Sequence, residues 1–185
     1  MKRIQDDGME YGADPDLVRD AKRGDEAAFT SLLRPLLEPA YRLAAGMLQD
    51  RQLAEDAVQE AAVKAWQKIH QLREGTAMRP WFFGIVANQC RTTRRGRWWR
   101  VVKIGAEQRG AESPDEEAVR GIDLRNALKR LRPEQRLVVV LYFYLDLPLE
   151  EIATIAGASF AAVRGRLYRG IRELKADFPI TEVQA

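Results

Sequence analysis

The chain has 185 residues, room for one ordinary domain or two small ones, and its 46% apolar content is enough for compact cores, which excludes disorder throughout. A net charge of +3, from 30 Lys and Arg against 27 Asp and Glu, places any basic character in the distribution of charges rather than their sum. A single cysteine, Cys90, and a single histidine, His70, exclude a disulfide framework and argue against a thiol-rich cluster, a histidine-based metal site or a catalytic triad.

Residues 1–12 are polar and glycine-bearing and read as a mobile arm without the apolar run of a signal peptide. Nowhere do about 18 apolar residues follow one another, so no membrane insertion is expected, and a soluble, cytoplasmic protein is. Asp14-Pro15-Asp16 starts a helix, with Asp14 as cap and Pro15 at the first helical position, and Gly24-Asp25 ends it. A second helix runs from Ala27 to about Met47, with Pro35 and Pro39 expected to kink or split it.

The polar run Gln49 to Gln52 turns the chain into a third helix, on which Leu53, Ala54, Ala57, Val58, Ala61, Ala62, Ala65, Trp66 and Ile69 share one broad arc. Asp56, Gln59, Glu60, Val63 and Gln67 take the other face, and that face has two readings: an ordinary solvated surface, or a docking surface marked by Val63 among the acids.

Between Glu74 and Glu107 no acidic residue occurs, while Arg79, Arg91, Arg94, Arg95, Arg97, Arg100 and Lys103 alternate with Trp81, Phe82, Phe83, Trp98 and Trp99. A helix over Trp81–Arg95 turns Phe82, Ile85, Val86 and Cys90 inward and lines up Gly84, Asn88, Arg91 and Arg95 outward. Positive charge attracts phosphates, and rings or guanidinium planes stack on unpaired bases, so the combination suits a single nucleic-acid strand better than a closed duplex. The competing reading keeps the rings in the core and the arginines in solvent.

Glycine, serine, proline and a cluster of acids then mark residues 100–118 as a linker, either a plain tether or an acidic segment able to occupy a basic channel in a partner. A second helical unit begins at Val119, with Ile122, Leu124, Leu128 and Leu131 apolar before Pro133. Leu137–Leu145 has strand-like propensity but reads as a buried helix, because nothing else in this unit offers a second strand to pair with. Leu149–Ala156 and Ser159–Lys175, joined by Gly157-Ala158 with Ser159 as cap, form a helix-turn-helix. Val163, Leu167, Ile171 and Leu174 make the inner stripe of its second helix, leaving Ala161, Gly165, Tyr168, Arg169 and Arg172 outward with Arg164 and Arg166 at the edges. Small residues near its start permit close approach to a major groove, where arginine bonds a guanine edge bidentately.

The chain thus reads as all-α: two small helical domains joined by a flexible linker, over 13–99 and 119–178, followed by a tail at 179–185. The run Ala54-Glu55-Asp56-Ala57-Val58-Gln59-Glu60, continuing through Lys64-Ala65-Trp66 and Trp81-Phe82-Phe83-Gly84-Ile85-Val86-Ala87-Asn88, resembles domain 2 of bacterial sigma factors of the extracytoplasmic-function (ECF) type. Leu131-Arg132-Pro133-Glu134-Gln135-Arg136, Glu150-Glu151-Ile152-Ala153 and Val163-Arg164-Gly165-Arg166-Leu167-Tyr168-Arg169 resemble domain 4 in order and spacing.

The resemblance implies a dissociable initiation subunit of RNA polymerase that does no bond chemistry and needs no cofactor or metal. It implies core-polymerase contact through Asp56, Gln59, Glu60 and Val63. It implies capture of the unpaired downstream (−10) strand by Leu72, Trp81, Asn88, Arg91 and Arg95, with a base turned into a pocket between the loop His70–Ala77 and the next helix. It implies reading of the upstream (−35) duplex by Ala161, Arg164, Gly165, Tyr168, Arg169 and Arg172, and control by an anti-sigma protein. Leu72 stands where relatives often carry an aromatic ring, Ala161-Ala162 where Gly-Thr is usual, Gly165 where serine is frequent and Tyr142 where a basic residue is common. The alternative is a two-domain repressor or activator that binds duplex DNA without polymerase.

Overall fold

The computed structural model describes residues 14–73, 77–104 and 124–177, and among these every regular element is helical. Asp14 accepts a hydrogen bond from the Asp16 N–H at 2.9 Å and starts α1, Pro15–Lys22. Asp25 accepts from Ala27 and Ala28 and starts α2, Glu26–Leu48. Asp50 accepts from Leu53 and starts α3, Arg51–Lys68, which tightens into a 3-10 turn over Ile69–Gln71. Each carboxylate satisfies backbone donors that the first helical turn leaves without partners.

The two prolines do not split α2, which runs unbroken from Glu26 to Leu48. Leu32, Leu33, Leu36, Ala40, Leu43, Ala44 and Met47 on its inner face are all buried, and that burial outweighs the hydrogen bonds that Pro35 and Pro39 omit. α4 spans Met78–Ile104, so the helix continues past the expected domain edge at residue 99 into the first residues assigned to the linker. The rest of that linker, the arm 1–12, the tail 179–185, and the side chains of Arg97, Trp98, Trp99, Arg100 and Lys103 lie outside the described residues.

In the second unit α5 covers 124–130 and α6 Pro133–Val139, and α6 widens into a π turn at Val140–Tyr144. Leu137–Tyr144 is therefore helical, as expected, with Leu145 just past the last turn, but burial stops at Leu141, and Phe143 is 61% exposed. The helix-turn-helix consists of α7, Leu149–Ala156, and α8, Phe160–Asp177. Gly157 between them adopts φ +59°, a left-handed conformation that favours glycine, and Ser159 Oγ accepts from the Ala162 N–H.

α1 to α4 pack on one another, as do α6, α7 and α8, and the two groups also meet: α7 lies on α4, and α6 with its π turn lies on α2. One apolar cluster runs through both units, from Phe29, Leu43 and Phe82 to Leu141, Ile152 and Val163. Close approach is purchased with glycines. A Cβ on Gly46 would stand 2.8 Å from a Val140 methyl, and one on Gly170 would stand 2.8 Å from a Val139 methyl.

Candidate nucleic-acid interface

The inner arc of α3 buries Ala54, Ala57, Val58, Ala61 and Ala65, and the opposite arc carries Asp56, Gln59, Glu60 and Val63 in solvent. Val63 is 56% exposed on the same face as the acids. Beside that face an open apolar groove of about 510 Å³ runs between α2 and α3, lined by Phe29, Leu33, Leu37, Tyr41, Val58 and Ala62, with Arg34, Glu55 and Gln59 among its polar members.

On α4 the inner residues Phe82, Phe83, Val86, Ala87 and Cys90 are buried. Burial pushes the Cys90 thiol up to about 12, which holds it protonated. Asn88 and Arg95 are exposed on the outer row, with Gly84 and Arg91 half-buried between them, and no described carboxylate pairs with Arg91 or Arg95. Trp81 is half-buried against the core.

Trp81, Gly84, Ile85, Asn88, Gln89 and Thr92 form one wall of an open cavity of about 340 Å³. Lys64 and Lys68 of α3 supply the facing wall, and Thr154 of α7 reaches its edge. The Lys64 ammonium donates to Gln89 Oε1. A cleft with two ammonium groups, two side-chain amides and an indole offers what a nucleotide needs: phosphate attraction, hydrogen bonds to a base edge and an aromatic surface.

That cleft opens between α3 and α4, whereas the expected pocket borders the loop His70–Ala77, of which residues 74–76 lie outside the described residues. Leu72, expected to face a captured base, is instead 2% exposed: the 3-10 turn at Ile69–Gln71 rotates it into the core, and its N–H donates to Ile69 O. It is withdrawn as a contact. Lys64, Lys68 and Gln89 were not singled out as site residues from the sequence. The available signal was the i, i+4 spacing of the two lysines, which puts both on the side of α3 that meets α4.

α8 presents Ala161, Arg164, Tyr168, Arg169 and Arg172 to solvent, while Val163 and Leu167 are buried. Tyr168 is 67% exposed, and Gly165 lies half-buried under the Arg169 guanidinium, which would be 3.4 Å from a Cβ placed there. Three arginines and a phenol thus line one helix face, with the exposed Phe160 at its start beside Ala161 and Ala162, a form suited to a groove of duplex DNA. Among the described residues no group of three or more His, Cys, Asp or Glu is placed to hold a metal ion, and no helix is long and apolar enough to cross a membrane.

Comparison with known proteins matches two stretches of the chain. Residues 32–100 match the family described as Sigma-70 region 2, and residues 122–174 match Sigma-70, region 4. The ECF RNA polymerase sigma factor SigE of Mycolicibacterium smegmatis is 32% identical over 163 residues, covering 82% of this chain and 63% of that protein. The ECF RNA polymerase sigma factor SigL of Mycobacterium tuberculosis is 31% identical over 164 residues, covering 82% of this chain and 92% of its own length. Among solved structures, CnrH in complex with the cytosolic domain of CnrY superposes with a TM-score of 0.69 at 26% identity, over 89% of this chain and 96% of that one.

Proposed function

The chain belongs to the sigma-70-type RNA polymerase sigma factors of the ECF class, and from that premise we propose how its surfaces divide the work of initiation. The α3 face with Asp56, Gln59, Glu60 and Val63 docks on core RNA polymerase. The cleft and row of α4, with Trp81, Asn88, Arg91 and Arg95, hold the unpaired −10 strand. The exposed face of α8, with Arg164, Tyr168, Arg169 and Arg172, reads the −35 duplex. No bond is made or broken by the factor itself, and its place of action is the cytoplasm, where polymerase and promoter are.

The observation that carries this reading is the cleft beside Asn88, where the acid-free row of α4 meets Lys64 and Lys68. Turning a base out of a duplex costs a few kcal/mol of stacking, which a site must return through hydrogen bonds and packing. Asn88 can donate and accept along a base edge, and Arg91 continues the row along the phosphates. A repressor acting without polymerase is not favoured, since it would have no use for a region 2 extending over residues 32–100. A protein inhibitor is a further proposed partner, because CnrH was solved with the cytosolic domain of CnrY.

The test is run-off transcription with core enzyme on a promoter library, followed by permanganate reactivity of the downstream thymines on a selected promoter. Asn88→Ala and Arg91→Ala should remain bound to the promoter yet leave those thymines unreactive. Full reactivity in both variants would make the α4 row structural.

A further inference from the structure

Across the cleft between α3 and α4, the hydrogen bond from Lys64 to Gln89 decides which end of an amide faces a ligand. Gln89 carries both a carbonyl oxygen and an NH2 group, and either could be turned outward. Lys64 removes that choice. An ammonium group has only N–H to offer, so the amide must turn Oε1 to it, and Gln89 Oε1 is the atom that accepts. The Gln89 NH2 group is therefore directed away from Lys64, and among the described residues it donates to no protein group. Both side chains are half-buried, where a hydrogen bond is stronger than in open solvent. Asn88 differs: nothing among the described residues fixes its exposed side-chain amide, which can turn either end to a base.

We propose that Gln89, oriented by Lys64, is a specificity-determining residue for the unpaired −10 strand, selecting at one position a base that offers two adjacent acceptors. This rests on the assignment of the cleft to that strand. The amide NH2 and the remaining ammonium N–H groups are all donors, so the pair offers donors to a base while its carbonyl is turned to Lys64. Guanine sets O6 beside N7 and cytosine sets O2 beside N3, whereas adenine and thymine place a donor next to each acceptor. An unstacked base exposes these edges to side chains. Adenine in the same place would oppose its N6 amino group to N–H groups and leave them unmet. The other members of the cleft bind without choosing: Trp81 offers a ring on which any base stacks, and Lys68 attracts phosphate beside any base.

The test uses holoenzyme reconstituted from core polymerase and the full-length chain, titrated against fluorescein-labelled forks and read by fluorescence anisotropy. Each fork is the promoter selected above with its downstream element carried on the non-template strand alone, so no base pair has to be broken and the easier opening of A·T pairs does not enter. Each of the four bases is placed in turn at each unpaired position. At one position guanine or cytosine should bind about tenfold more tightly than adenine and thymine, and the series itself tells the two apart. Where the base is guanine, 7-deazaguanine, which lacks the N7 acceptor, should cost about tenfold in the parent and nothing in Gln89→Ala. Gln89→Glu should abolish the preference, because a carboxylate repels the same acceptors and accepts from adenine N6. Lys64→Met frees the amide to turn and should also level the four bases, whereas Lys64→Arg can still only donate and should keep the preference. The preferences at all other positions should match the parent in every variant.

A parent without such a position, or with a preference that survives Gln89→Glu, would overturn the proposal. So would a loss in Gln89→Glu and Lys64→Met that is equal for all four bases, since the pair would then hold phosphate and not a base edge. Lys64→Arg levelling the bases as Lys64→Met does would remove the orienting role of Lys64. Asn88→Ala and Arg91→Ala, compared on the same forks and on forks trimmed of their single strand, test the underlying assignment separately. Strand binding indifferent to both removes the cleft from the strand, and Gln89 with it. Strand binding that depends on them but shows no Gln89-dependent base preference removes only the specificity.

Discussion

Single side chains divide here into those whose role depends on a helical face and those whose role depends on a neighbour. Asn88 is of the first kind: the 3.6-residue period that buries Phe82, Val86 and Cys90 turns it outward, and this is legible from the sequence alone. Leu72 is of the second kind, because it follows α3 by a short turn whose handedness and pitch no periodic pattern reports. Its burial predicts that Leu72→Ala costs about 2–5 kcal/mol in a urea melt, with strand affinity per folded molecule unchanged. A selective loss of strand binding at parental stability would restore Leu72 to the interface. Cys90 provides a second residue-level prediction. Its thiol is raised from 9.0 to about 12 by burial, so between those values the unfolded chain loses the proton first and stability falls as pH rises. Cys90→Ala should flatten that part of the stability curve between pH 9 and 12, and iodoacetamide should label the native parent only as fast as it opens.

At the scale of elements, end signals were legible and interior detail was not. Asp14, Asp25, Asp50, Gly157 and Ser159 mark helix boundaries by local chemistry, and each does so here. Whether a proline breaks a helix is settled by what the helix buries, and α2 buries enough on its inner face to remain whole. Pro35 is exposed, so Pro35→Ala restores an N–H without disturbing the core and should stabilise the protein by about 1–3 kcal/mol, read as a raised melting temperature. An unchanged or lowered melting temperature would show that α2 is shaped by the proline rather than strained by it. The Leu137–Leu145 segment was legible as helix, but its π turn was not. The turn coincides with the contact of Val140 on Gly46, which joins residues far apart in the chain, and it ends where Tyr142, Phe143 and Tyr144 emerge from the core.

At the scale of the whole molecule, the two units could be read from the sequence but their mutual seating could not, because Arg79 and Glu151 are meaningful only as a pair across the fold. Arg136 shows how closely the units are joined. It is 3% exposed, and it donates to Leu128 O and Lys129 O, both at 2.6 Å, and to Met47 O at 2.9 Å. Burial, with Arg94 adding a smaller repulsion, lowers its ionisation to about 10, so the guanidinium remains charged at neutral pH and is held by carbonyl dipoles at the ends of α5 and α2. Replacing it with leucine leaves four carbonyls without this donor, Leu131 O at 3.4 Å being the fourth, at a cost on the order of 3 kcal/mol or more, because unmet buried acceptors each cost about 1–3 kcal/mol. That loss falls on the second unit and on its bond to the first. All 4 tryptophans belong to the segment from Trp66 to Trp99, so their fluorescence follows the first unit, whereas far-UV circular dichroism follows both. In the parent, the shared apolar cluster should make the two urea transitions coincide. In Arg136→Leu the dichroism midpoint should fall below the fluorescence midpoint as the second unit unfolds first. Midpoints that fall together would show instead that the units remain one cooperative body without Arg136, held by the Gly46–Val140 and α4–α7 contacts alone.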